Sequence, residues 1–408
     1  MRRINGPYAF ILITLMIDAI GIGIVFPIMP DLMERVGAND LAVGSIWAGV
    51  LMSAYAAAQF LFAPIVGSIS DAYGRRPVLL VAMAFLALDY VIMALAGTYW
   101  LLLVGRTLAG LAGATYTTAT AYISDITPKE HRAARFGMIG AAFGIGFVLG
   151  PALGGLAATW YVTAPFWLAA FFSAANVAFG FFVLPESLKP ENRRTFELRD
   201  LNPFATILQA FRIPALAVPL FCLFVFEFAT IVYPTLWAFW GREVFGWSTL
   251  TIGLTLSIYG VLVVVAQAGV MPFAVGYLGE RRLAIVGLFV ATIALVGFGF
   301  ASALWAVAIF LPIAALADLV PPTITALAAN SVDESRQGMV QGVIAALASV
   351  AAVIAPLVFT PIFGFFARPE SEIYFPGAPF VLAALLVLAL VPLAWRGRLG
   401  TQAVGESR

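Results

Sequence analysis

Five ionisable side chains interrupt stretches of sequence that are otherwise apolar. Asp18, Asp89, Glu227 and Asp318 each fall near the middle of a long hydrophobic run, and Arg106 lies off-centre in another. At the centre of a bilayer each such group costs roughly 2.5–3.5 kcal/mol on insertion scales, and more where it faces lipid. They are tolerable only where they line water or neutralise one another. A carboxylate held in a wet gap can take a proton from one side and release it to the other. No His or Lys lies in the apolar runs, so any proton coupling falls on these acids. The alternative for each is a structural ion pair or a polar contact that fixes helix packing. Gln59 and Gln267 can likewise face a cavity or simply hydrogen-bond neighbouring helices.

The elements that must position these groups follow from composition. The chain is 62% hydrophobic and 11% charged, with a mean hydropathy of +1.00. Soluble domains are about half apolar and about a quarter charged, so this chain belongs in a bilayer. Its apolar runs reach the ~20 residues that cross ~30 Å of hydrocarbon. They lack the alternation of barrel strands and must be helices, whose backbone bonds close internally. Twelve spans are expected, near 7–29, 43–66, 78–97, 99–123, 134–157, 162–184, 214–240, 249–276, 282–302, 304–328, 338–366 and 378–396. Met1-Arg2-Arg3 looks like the start of a signal peptide, but the first run has no small-residue cleavage site and reads as a retained helix.

With the N-terminus inside, the outer loops hold only Arg35, Arg242 and Arg368, and Arg106 lies within a span. Every other one of the 22 Lys and Arg falls at the inner face. This bias puts both termini in the cytoplasm. The net charge of +1 gives no reason to expect a nucleic-acid partner. Cys222 is the single cysteine, so no intrachain disulfide exists, and the one histidine, His131, falls in a basic inner loop.

The sequence repeats itself. "APFWLAA" begins at Ala164 and "APFVLAA" at Ala378; "IVFP" ends at Pro27 and "IVYP" at Pro234. Gly137 with Gly342, Pro151 with Pro356, and Gly74 with Gly279 share an offset of 205. Residues 1–184 and 214–408 therefore read as two six-helix bundles joined by a charged cytoplasmic linker, 185–213. Parallel repeats of this kind bind substrate between them at mid-depth.

Three motifs go beyond hydropathy. "GSISDAYGRRP" runs from Gly67 to Pro77 between the second and third spans. Gly74 permits a tight turn, and Pro77 is harmless in a first helical turn. Arg75 and Arg76 fit ordinary inner-face topology, but Asp71 does not. Its carboxylate is expected to reach the positive end of a neighbouring helix. "GFVLGPALGG" places Gly146, Gly150, Gly154 and Gly155 around Pro151 in the fifth span, small residues that let helices approach closely. "LLLVGRTLAGLAGA" sets Arg106 ahead of Gly110 and Gly113, with Asp18 as its expected carboxylate partner.

These motifs resemble the signatures of the major facilitator superfamily, and the glycine–proline motif resembles that of its antiporter branch. "DAIGIGIVFPIMP", "SAYAAAQFLFAP", "SDAYGRRPVLL", "ALDY" and "GRTLAGLAGAT", in that order, resemble the bacterial tetracycline/proton antiporters. The resemblance implies an all-α, twelve-helix transporter of the bacterial inner membrane. In it Asp18, Gln59, Asp89 and Arg106 face the central cavity. Asp71 and Arg75, with Asp125, form a charge cluster that latches the cytoplasmic side. Ala72 stands where that motif usually has a second basic residue. The tetracycline antiporters also carry a functional His in helix eight and Asp in helix nine. Aligned on Gln267 and Gly287, this chain has Val263 and Ala291 there. Glu227 and Asp318 are the remaining second-half candidates for the proton.

The expected function is export of a lipophilic drug, tetracycline-like or of several kinds, against an inward proton, by a monomer. No cofactor or protein-held metal is implied, and a divalent cation enters only if the substrate chelates it. Aromatics crowded around Glu227 in "LFCLFVFEFATIVYPTLWAFW" would suit flat or cationic molecules, unless the rings face lipid or the outer aromatic belt. A metabolite or sugar facilitator of the same fold is the rival, although Gln59, Asn176 and Gln267 supply few amides for hydroxyls. A receptor would want a soluble output domain. An enzyme is disfavoured by the lack of a phosphate loop, metal-ligand cluster or nucleophile–base pair.

Overall fold

The computed structural model describes residues 6–113, 115–193, 203–368 and 370–398. Arg2, Arg3, Arg194, Arg199 and Arg408 of the expected inner-face set lie outside these. Among the described residues all regular structure is helical. In the first half the helices are α1 (Gly6–Arg35), α2 (Leu41–Tyr73), α3 (Arg75–Leu95), α4 (Tyr99–Ala112), α5 (Thr115–Ile126), α6 (Arg132–Ala158) and α7 (Ala164–Val183). In the second half they are α8 (Pro203–Phe211), α9 (Pro214–Thr230), α10 (Val232–Phe245), α11 (Thr249–Val265), α12 (Met271–Leu278), α13 (Glu280–Gly299), α14 (Leu304–Ala317), α15 (Val320–Ala329), α16 (Glu334–Phe366) and α17 (Ala378–Leu393). Eleven stretches among the described residues are long and apolar enough to cross a bilayer. The expected fourth span is present as the successive helices α4 and α5. Several helices outrun the apolar runs that announced them: α1 continues to Arg35 and α2 to Tyr73, because internal hydrogen bonding does not stop where hydrocarbon does.

The chain sorts into two compact units that do not follow the sequence halves strictly. The first comprises Met1–Asp40, Ala54–Asn202 and Trp247–Ile258; the second comprises Leu41–Ser53, Pro203–Gly246 and Tyr259–Arg408. In the first unit α6 lies along α1. A methyl group added at Gly150 would come 2.6 Å from the Ile20 carbonyl oxygen and 2.9 Å from the Gly23 Cα. Gly146 and Gly154 abut the same face of α1, against Met16 and Ile24. The glycine ladder is therefore a backbone-to-backbone contact beside the helix that carries Asp18. Gly150→Ala should destabilise the protein by about 1–3 kcal/mol, the usual cost of overpacking a filled interface. A thermal unfolding midpoint in detergent equal to that of the unmodified protein would contradict this contact.

Trp247–Ile258 packs on the other side of α6. Gly155 abuts Thr249 and Leu250, and Gly253 abuts the Pro151 carbonyl. The Ser257 hydroxyl donates to the Val148 carbonyl at 2.6 Å and accepts from the Ala152 amide at 3.0 Å. It is thus inserted into the helical rung that would join those two groups beside Pro151, one of the recognised ways a helix is opened. Thr249 also donates to Asp31 at 2.5 Å. In the second unit the repeat-related arrangement recurs, with Gly49 against Thr360 and Gly364 against Ala42 and Ile46.

The rings of the seventh span do not behave as expected. Phe226, Phe239 and Trp240 are almost fully buried, as is Trp237. Trp237 and Trp240 pack at 5.3 Å and meet Phe298, while Trp240 and Tyr233 meet Phe380 at 5.3 and 5.9 Å. Phe221 is exposed, but four of the eight rings in that stretch are buried and form neither a lipid-facing belt nor a free aromatic surface. They form the packed centre of the second unit, because edge-to-face ring contacts fill the space between α10, α13 and α17.

Candidate functional site

In the first unit α3 and α4 form a tight antiparallel pair joined at residues 96–98. Asp89 and Arg106 lie nearly equal distances from that connection, so the two helices carry them to the same depth. Arg106 Nη2 forms an ion pair with Asp89 Oδ2, and Nε donates to Oδ1 at 3.3 Å. Asp89 is wholly buried and Arg106 is 7% exposed. The Tyr55 ring of α2 lies 5.5 Å from the guanidinium carbon, placing the cation over its π face. The arginine therefore pairs with Asp89 and not with Asp18, which corrects the expectation from sequence.

Asp18 is left for another task. It is partly exposed, and its carboxylate accepts a hydrogen bond from the Thr115 hydroxyl at the start of α5. Tyr55 and Tyr90 both lie within reach of its charge. The Tyr90 hydroxyl presses against Gly21, three residues further along α1, where no side chain larger than hydrogen would fit. One carboxylate is thus sealed with its cation, and the other is partly exposed and, among the described residues, meets a neutral hydroxyl and no cation. Tyr55, Tyr90 and Thr115 carried no pattern that hydropathy could reveal.

The second unit holds its polar residues at breaks in helices. Glu227 precedes the interruption at Ile231 between α9 and α10, and its carbonyl accepts from the Ile231 amide at 3.1 Å. Asp318 ends α14 before α15 begins. Gln267 sits in a wide, π-type turn, Ala266–Val270, between α11 and α12. Such irregular turns cluster at functional sites in membrane helices. The Tyr259 hydroxyl donates to Asp318 Oδ2 at 2.6 Å, and Glu227 lies within reach of the Asp318 charge. All three of Glu227, Asp318 and Tyr259 are partly exposed. The repeat puts Leu311 where the first half has Arg106, so these acids have no arginine of that kind.

The two glutamines have matching jobs. Gln59 Nε2 donates to the Gly113 carbonyl at 3.1 Å, at the end of α4. Gln267 Nε2 donates to the Asp318 carbonyl at 3.3 Å, at the end of α14. Gly113 and Asp318 are repeat-related at the offset of 205. Each amide satisfies a carbonyl that the helix break has freed, which buried backbone requires. Asn176 is equally committed, donating to the Thr14 hydroxyl at 3.0 Å.

A second cluster lies at the start of α3. Arg75 pairs with Asp71 at 2.5 Å and with Asp125 at 3.3 Å, and also donates to Ser70 at 3.0 Å. Asp71 therefore serves Arg75, and the positive end of α3 is taken by a residue that sequence reasoning missed. Glu186, just beyond α7, accepts from the Arg75 amide at 2.9 Å and from the Arg76 amide at 3.2 Å. Gly74, with a φ of +113°, brings the chain under that carboxylate. Arg76 donates to the Phe181 carbonyl at 2.6 Å, and Ser187 to Asp125 at 3.0 Å. Gly67 faces open space. Removing the cap in Glu186→Ala should cost about 0.5–2 kcal/mol, read as a lower unfolding midpoint. An unchanged midpoint would deny the cap its role. Among the described residues no group of His, Cys, Asp and Glu is placed to hold a metal.

A helical membrane protein with a repeated sequence, two compact units and acidic groups beside helix breaks in one of them is the build of a secondary transporter. Comparison with known proteins agrees. The model of the Major Facilitator Superfamily matches residues 11–356. The chain is 36% identical over 393 residues to the class C tetracycline resistance protein of Escherichia coli, covering 96% of this chain and 97% of that one. It is 27% identical over 394 residues to multidrug resistance protein 2 of Bacillus subtilis (strain 168), covering 94% of each. In fold it matches the crystal structure of a bacterial homologue of the human lysosomal transporter Spinster, with a TM-score of 0.79 at 14% identity, over 95% of this chain and 96% of that one. The chain belongs to the major facilitator superfamily and is a multi-pass membrane protein.

Proposed function

We propose that this protein exports a lipophilic drug from the bacterial cytoplasm across the inner membrane, in exchange for protons entering the cell. The reading is supported by similarity to tetracycline and multidrug resistance proteins over nearly the full chain. The observation that carries it is the contrast between the two first-unit carboxylates. Asp89 is neutralised by Arg106 and sealed, whereas Asp18 is reachable and held by one hydroxyl. A group that must gain and lose a proton in each cycle needs access and a weak partner, and Asp18 has both.

Protonation of Asp18 would remove a charge from the polar centre of α1, α2 and α5 and bias the protein toward one of its two facing states. A proton shifts such an equilibrium only through unequal affinity for the two states. Glu227 and Asp318 are the candidates for a second protonation step. Asp71, Arg75 and Asp125 belong to a gate at the cytoplasmic end. Both termini lie in the cytoplasm, and the working form is a monomer. The drug need not be handled as in the tetracycline antiporters, since Val263 and Ala291 replace the polar residues of helices eight and nine.

A sugar or metabolite facilitator is the rival within the fold. It is disfavoured because Gln59, Gln267 and Asn176 are all engaged within the protein. The test is a proteoliposome assay with an inward proton gradient, screening tetracycline, a fluoroquinolone and a lipophilic cation. Gradient-driven accumulation of at least one of them, with proton movement in the opposite direction, is expected. Uptake of sugars without drug transport would reject the reading.

A further inference from the structure

The α3 cluster has a repeat-related counterpart in the second unit, with one member missing. Gly279 matches Gly74 at the offset of 205 and shares its positive φ, +73° against +113°. Arg281 matches Arg76, and Trp395 matches Phe181 at the offset of 214 set by the two "APF" sequences. The hydrogen bond between them is reproduced. Arg76 donates to the Phe181 carbonyl at 2.6 Å, and Arg281 donates to the Trp395 carbonyl at 2.9 Å. In the first unit the helix end so framed holds a carboxylate, that of Glu186. At the offset of 214 the position of Glu186 becomes Gly400, which lies outside the described residues and has no side chain to supply one. Gly279, the residue before α13, has no side chain to cap that helix start, and Glu280 is the acid in its first turn.

The place is open. A cleft of about 690 Å³ is lined there by Gly279, Glu280, Arg281 and Arg282, and by the apolar side chains of Val275, Ile285, Leu327 and Trp395 among others. Glu280 is engaged by Asn330, whose Nδ2 donates to it at 3.4 Å. Arg282 makes no ion pair or hydrogen bond with the described residues. Among the described residues, two guanidinium groups and a helix N-terminus thus face a space that contains one carboxylate. This charge balance calls for an anion.

The walls name its class. Free phosphate needs no apolar lining, but an acyl chain does. Beside the cleft, Phe273 and Tyr277 of α12 are 80% and 89% exposed, and Trp395 is 69% exposed, giving an apolar surface next to the basic one. Basic pockets between helix ends at a membrane surface suit anionic lipid headgroups. We propose that this cleft binds the phosphate of an anionic phospholipid at the start of α13, where it occupies the place that Glu186 fills at the start of α3.

The experiment is native mass spectrometry of the full chain, extracted from vesicles of phosphatidylcholine with or without phosphatidylglycerol. The protein should carry a retained phosphatidylglycerol, and phosphatidylcholine alone should leave none. Arg281→Ala with Arg282→Ala should reduce retention about tenfold, each arginine contributing of the order expected for a basic residue at an anionic surface. The double lysine replacement should keep most of it. Arg282→Ala alone leaves the Arg281 hydrogen bond to Trp395 in place and should also lower retention; it answers the question if the double alanine variant does not fold. Equal retention in the unmodified protein and in either the double alanine or the Arg282→Ala variant would overturn the proposal. Displacement of the lipid by inorganic phosphate, with equal protection of the protein against unfolding, would also overturn it in favour of a free anion.

Discussion

Arg106→Ala is expected to destabilise the protein by about 3–5 kcal/mol, the usual consequence of leaving one member of a buried ion pair alone. Its partner, Asp89, is wholly buried, so neither water nor another described basic group can replace the guanidinium. The loss should appear as a lower unfolding midpoint in detergent and a smaller folded fraction after extraction. Asp89→Asn alone should behave similarly, because it strands the cation beside Tyr55. The double variant, Asp89→Asn with Arg106→Gln, should be less damaged than the sum of the two. Groups in direct contact are expected to show a coupling of about 0.5–3 kcal/mol. Strict additivity would mean that the pair contributes nothing as a pair. Asp18→Asn combined with Arg106→Ala should be close to additive, since those side chains are not partners.

Asp18→Asn has the opposite profile. Asparagine preserves the shape and can still meet the Thr115 hydroxyl, so folding and insertion should be nearly unchanged. Proton movement driven by added drug should fall to the level of empty vesicles, because the amide cannot exchange a proton. The measurement is a pH-sensitive dye trapped in proteoliposomes, with size-exclusion behaviour as the control for folding. Asp18→Glu should restore part of the flux. If Asp18→Asn retains full drug-driven flux while Glu227→Gln or Asp318→Asn abolishes it, the proton is carried in the second unit. The proposed role of Asp18 would then be wrong. Drug binding without proton movement in Asp18→Asn would separate the coupling step from recognition.

Different parts of this molecule were legible in the sequence to different degrees. The pairing of Asp89 with Arg106 was open to a simple test, since the residues stand on either side of the short connection at 96–98 and equal distances along antiparallel helices meet. The role of Gln59 and Gln267 was not open to any such test. Their hydrogen-bond partners are backbone carbonyls exposed by breaks at Gly113 and Asp318, and apolar periodicity does not announce a break. Glu186 was hidden differently. In sequence it belongs to a polar connection, and only the return of the chain after α7 brings it onto the end of α3. Ser257 sits in a run that reads as ordinary apolar helix, yet its hydroxyl opens a rung of α6.

By itself the sequence determined that this protein is a helical membrane protein with a repeated plan, because the length of an apolar run and the recurrence of motifs are one-dimensional properties. It also determined which charges had to be reconciled with a bilayer. Tertiary structure alone decided which of those charges are reconciled with each other. Arg106 could serve either Asp18 or Asp89 so far as composition is concerned, and it serves the one that neighbouring helices bring to its own depth. That choice leaves Asp18 with a hydroxyl for company. Ion pairing depends on distances of a few ångströms across separate helices, and those are set by packing.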